Sequence, residues 1–117
     1  MIIEFPHPPA ALSPNGNRAH WGSVMAARKK CRELAKQITT AVMATTPLPE
    51  NPYTEYHILW NHFGTIMPDD DNVVARIKSY KDGIADALGI NDRSIHLGSV
   101  RFIRDKATKK KLWITLT

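Results

Sequence analysis

The spacing of apolar positions divides the chain into six elements. Ile2 to Phe5 alternates apolar and polar residues and predicts a short strand. Pro6-His7-Pro8-Pro9 through Pro14-Asn15-Gly16-Asn17 is unfit for helix or central strand and predicts a loop. From about Trp21 to Ala44, Val24, Ala27, Cys31, Leu34, Ala35, Ile38 and Val42 recur at three- and four-residue steps with Lys and Arg between them. That pattern is an amphipathic helix with a basic outer face. Pro47, Pro49 and Pro52 end it. Tyr53 to Phe63 predicts a strand and Gly64 to Pro68 a loop. Asp69-Asp70-Asp71-Asn72 then caps a second helix running to about Leu88, with Gly89 as its stop. Its apolar stripe is Val73, Ile77, Tyr80, Ile84 and Leu88. Ser94 to Arg104 and Lys111 to Leu116 predict two strands joined by a basic hairpin, Asp105 to Lys110. The order β-α-β-α-β-β predicts a single α/β (α+β) domain over residues 1–117, with a mixed sheet and two main helices.

Composition narrows the class. Of 117 residues, 43% are hydrophobic, enough for one core. No apolar run reaches the ~20 residues of a membrane span, and the first residues do not read as a signal peptide. Cys31 is the only cysteine, which excludes an intrachain disulfide and suits a reducing cytoplasm. The net charge is +5 and unevenly placed. Arg101 to Thr117 holds six basic residues against Asp105; Asp69 to Asp92 holds six acids against Arg76, Lys78 and Lys81. A basic surface attracts a polyanion, and a local acidic cluster attracts a cation. A basic tail beside an acidic helix start gives the same pattern without either role.

The acidic run carries the candidate chemistry. A magnesium ion takes oxygen ligands, typically one or two carboxylates plus waters and substrate phosphate. Asp69 and Asp71, two apart in an extended segment, can face one site, and Asp92 can close it after the helix returns. On a helical wheel Asp71, Lys78 and Asp82 fall together, so Lys78 could stabilise charge developing on a phosphodiester. Capping explains acids at a helix start equally well, although three in a row repel one another unless a cation is present. An EF-hand is excluded because its Gly and Glu positions are Val74 and Tyr80. His7, His57, His62 and His96 lack zinc-ligand spacing.

Pro6-His7-Pro8-Pro9, then Ser13-Pro14-Asn15-Gly16-Asn17-Arg18 with His20-Trp21, then Asp69-Asp70-Asp71-Asn72, then Asp86-Ala87-Leu88-Gly89-Ile90-Asn91-Asp92 resemble, in order, the RusA family of Holliday junction resolvases, common in phages and prophages. The resemblance implies a homodimeric, magnesium-dependent endodeoxyribonuclease, with manganese as a substitute ion, that nicks four-way or branched DNA in a bacterial cytoplasm without a nucleotide cofactor. It implies Asp69, Asp71 and Asp92 as metal-binding catalytic carboxylates. The family's essential lysine falls near Ala75 here, which leaves Arg76, Lys78 and Lys81, with Lys78 favoured. Asn91-Asp92 stands where many relatives have two acids.

Arg18, Arg76, Lys81, Lys106, Lys109, Lys110 and Lys111 are candidate DNA contacts. Trp21 reads either as a DNA contact or as a core anchor, and Arg28, Lys29 and Lys30 as phosphate contacts or a solvated face. Two rival functions stand beside the resolvase: a non-catalytic DNA-binding protein whose acids only cap a helix, and a metal-dependent nuclease of other branched DNA.

Overall fold

The computed structural model describes residues 1–13, 21–62, 64 and 67–117. Its strands are β1 (Ile2–Pro6), β2 (Glu55–Asn61), β3 (His96–Ile103) and β4 (Lys111–Leu116), and its helices are α1 (Trp21–Met43), α2 (Asp70–Arg76) and α3 (Lys78–Leu88). The four strands form one mixed sheet in the order β1-β4-β2-β3. β4 is antiparallel to both β1 and β2, and β3 runs parallel to β2. The expected α+β class and mixed sheet are therefore observed.

Alternation along the strands decides which face is covered. Ile3 and Phe5, Tyr56, Ile58 and Trp60, and Leu112, Ile114 and Leu116 are all buried. Pairing sets them in rows, with Ile114 between Ile3 and Ile58, and Leu112 between Phe5 and Trp60. Cys31 and Ala35 of α1 join the same core with Val73, Ile77, Tyr80 and Ile84 from the second helical region. Burying each large aliphatic side chain contributes roughly 1.5–3 kcal/mol. The Tyr80 ring stacks on Phe5 at 4.6 Å between centroids, and its hydroxyl donates to Pro6 O at 2.8 Å.

Two sequence expectations need correction. The strands β3 and β4 do not form a hairpin: β2 lies between them. The reason lies in the burial patterns. A strand with no buried residue suits the margin of the sheet: β3 has none and takes the edge, whereas β4 buries every second residue and pairs with both β1 and β2. Residues 105–110 therefore cross the end of β2. Buried Asn61 pins them, donating from Nδ2 to Asp105 O (2.9 Å) and Thr108 O (2.6 Å) and accepting from Asp105 N (2.9 Å).

The second expected helix is divided at Ile77, whose φ of −93° and ψ of 2° depart from helical values. The i→i+4 bonds Ile77 N to Val73 O and Lys81 N to Ile77 O persist, so the division is a bend. It falls on a fully buried β-branched residue, where core packing overrides local preference. Gly89 ends α3 as expected, in the left-handed conformation at φ 68°, with Ile90 N donating to Ala85 O.

Candidate active site

The site residues are positioned by how α3 meets α1. A Cβ on Gly83 would lie 2.2 Å from Arg32 O and 2.7 Å from the Ala35 Cβ, so only glycine permits this approach. Along the seam Arg32 forms a two-pronged ion pair with Asp86, Nε to Oδ2 at 2.6 Å and Nη2 to Oδ1 at 2.9 Å. Each partner stabilises the other's charge: Asp86 holds the Arg32 pKa up, and the Arg32 guanidinium holds Asp86 below the usual carboxylate range.

Two open cavities share Arg32, Lys78 and Asp82 and form a continuous trough on this face. One, of about 550 Å³, is flanked by Arg28, Lys29 and Ser79. The other, of about 700 Å³, is flanked by Asp86, Asn91, Asp92 and Arg93. Lys78 and Asp92, placed apart by the sequence, thus face one cavity. Lys78 Nζ lies 3.5 Å from Asp82 Oδ2. Asp82 and Asp86 were assigned no role by sequence reasoning. Their four-residue spacing on one helix face, continued by Asp92 past the helix stop, was the available signal.

Asp69, Asp70 and Asp71 stand elsewhere, exposed at the start of α2. Asp69 occupies the N-cap position, yet its side chain makes no capping hydrogen bond. Neither Asp69 nor Asp71 lines the trough. Among the described residues, no three His, Cys, Asp or Glu side chains come together closely enough to hold a metal ion. The donor chemistry suits a hard cation, but Asp69, Asp71 and Asp92 are not gathered into one coordination set. The helical wheel that joined Asp71 to Lys78 assumed a straight helix, and the bend at Ile77 interrupts it.

The acidic helix start and the N-terminal loop do meet. Ser13 Oγ donates to Asn72 Oδ1 at 3.0 Å, and Arg76 donates to Pro8 O from Nε (3.1 Å) and Nη2 (2.6 Å). Arg76 also lies 5.2 Å from the Trp60 ring centroid, which fixes it away from the trough. Lys81 is likewise turned from it, with Nζ 4.9 Å from the Tyr56 ring centroid. Lys106, Lys109 and Lys110 are exposed on the segment crossing β2, while Lys111 pairs with Glu4 at 3.4 Å. Arg18 lies outside the described residues. Trp21 is 74% exposed, so it is no core anchor.

The chain has a bacterial relative. It is 40% identical over 92 residues to an "Uncharacterized protein" of Xylella fastidiosa (strain Temecula1 / ATCC 700964), a match covering 78% of this chain. The match spans 60% of that relative's length. No family model matches the chain, and no solved structure does. No described helix is long and apolar enough to cross a membrane.

Proposed function

We propose that this chain is an endonuclease of branched DNA, of the RusA type, acting as a homodimer on four-way junctions. The observation that carries the reading is the trough: Arg28, Lys29, Arg32 and Lys78 line the same open groove as Asp82, Asp86 and Asp92. Basic side chains along a groove hold a phosphate backbone. An exposed lysine beside carboxylates provides a cation for charge developing on a phosphodiester. Two further features support it. The Asp69 carboxylate is not used as a cap, and the Pro-rich loop is tied to α2 at its Asp-Asn start by Ser13 and at its other end by Arg76. A two-fold dimer answers the need to cut two symmetry-related strands. The magnesium requirement rests on the resemblance alone, and no catalytic step is derived through the ion.

The test compares cleavage and binding of a synthetic four-way junction by Asp71→Asn, Asp92→Asn, Lys78→Ala, Lys81→Ala and Arg76→Ala. The reading expects Asp71→Asn, Asp92→Asn and Lys78→Ala to bind without cutting, and Lys81→Ala to cut. Full cleavage by Asp71→Asn removes the acidic run from the site. The ungathered carboxylates favour a second reading, a non-catalytic DNA-binding protein; binding without cleavage by the parent chain would establish it.

A further inference from the structure

A third cavity, of about 410 Å³, lies apart from the trough, where the N-terminal loop, the end of β2, α2 and the segment crossing β2 converge. His7, Trp60, His62, Arg76, Lys109 and Lys110 line it, and among the described residues no carboxylate does. The Trp60 ring is the floor: it is 2% exposed, with the His7 ring stacked on it at 4.1 Å and Arg76 over it. A ring so covered has no free face for a nucleobase, which turns the cavity's chemistry towards charge.

Three independent observations point to an anion. Arg76 is half-buried and, among the described residues, bonds the neutral carbonyl of Pro8 and no carboxylate. A partly desolvated cation is costly without a counter-charge. His62 Nε2 is buried with no hydrogen-bond partner among the described residues, a state that buried polar atoms seldom keep. Lys110 is the only described residue other than glycine with positive φ, at 59°. Such strain in a bulky residue persists where the surroundings impose it, commonly at ligand sites. Here the His7 N to Lys110 O bond of 2.8 Å holds it.

We propose that this cavity binds a phosphate group, with His62 Nε2 and the Lys110 ammonium as its ligands and Arg76 as the fixed positive charge beside them. A guanidinium fork, an ammonium and an imidazole N–H are the donors phosphate oxygens accept from. Where the nuclease reading holds, the phosphate belongs to a DNA strand; the same donors take free phosphate.

The experiment follows the His62 ring protons by NMR while inorganic phosphate or an oligothymidine is titrated into the whole chain. It is repeated with Lys110→Gly, which removes the ammonium and suits the left-handed backbone, and with His62→Gln, followed through His7. The expected result is a saturable shift with at least one probe, weakened about tenfold in Lys110→Gly. Saturation by the oligonucleotide alone assigns the site to a strand, and saturation by phosphate alone to the free ion. Absence of saturation with both probes overturns the proposal, as does equal binding by the parent and both variants. A chain that saturates here yet leaves junctions uncut loses the nuclease reading and keeps this site.

Discussion

Replacing Gly83 with alanine tests how the trough is built. In most helix interiors this exchange is stabilising, because alanine is favoured over glycine by about 1 kcal/mol. Here the new Cβ would sit 2.2 Å from Arg32 O and 2.7 Å from the Ala35 Cβ, both on α1. Ordinary contact begins near 3.4 Å, so α1 and α3 must separate by roughly 1 Å or the helix must distort. The obstructing atom is backbone, which cannot swing aside as a side chain can. Overpacking of this kind costs about 1–3 kcal/mol and outweighs the propensity gain over most of that range. The separation would also stretch the Arg32–Asp86 pair, set at 2.6 Å on the same seam. Urea denaturation followed by circular dichroism should show a lower midpoint at unchanged slope, with a net loss of up to about 2 kcal/mol. A Gly83→Ala variant as stable as the parent, or more so, would refute the close approach of the two helices.

Asn61→Ala strips four hydrogen bonds from the segment crossing β2, three to its backbone and one to the Thr108 hydroxyl, and leaves partly buried backbone groups unpaired. A loss of about 2–4 kcal/mol is expected in denaturation, with faster amide exchange at Asp105. Arg32→Gln breaks an exposed ion pair and should cost less than about 1 kcal/mol of stability, while lowering the salt dependence of DNA binding by roughly one counterion. Burial lowers the His7 pKa, so the folded chain resists a proton that the unfolded chain accepts. Stability is therefore full above the unfolded value of about 6.5 and falls as pH drops through it; denaturation midpoints at pH 7 and pH 5 should differ less in His7→Gln than in the parent.

The elements were largely legible because their periodicities are strong. The α1 stripe, the β4 alternation and the Gly89 stop are local signals, and each led to its element. Strand pairing was not legible, because β3 followed by a polar, lysine-rich turn and β4 looks like a hairpin in one dimension. The placement of β2 between them goes with the absence of buried residues in β3 and with the clasp of Asn61 on residues 105–108, neither of which reads as a local signal. At the site, Lys78 and Asp92 were singled out and do share a cavity. The straight-helix assumption failed at Ile77, where packing sets the backbone. Arg76 and Lys81 do not line the trough, and the attachments to Pro8, Trp60 and Tyr56 that hold them come from elements distant along the chain.

The central claim is that the chain cuts branched DNA. Its most direct test is incubation of the purified protein with a synthetic four-way junction and with linear duplex of the same sequence, with and without magnesium. Paired nicks in the junction, dependent on magnesium and absent from the duplex, are the predicted result. An intact junction bound by the protein in the presence of magnesium would contradict it.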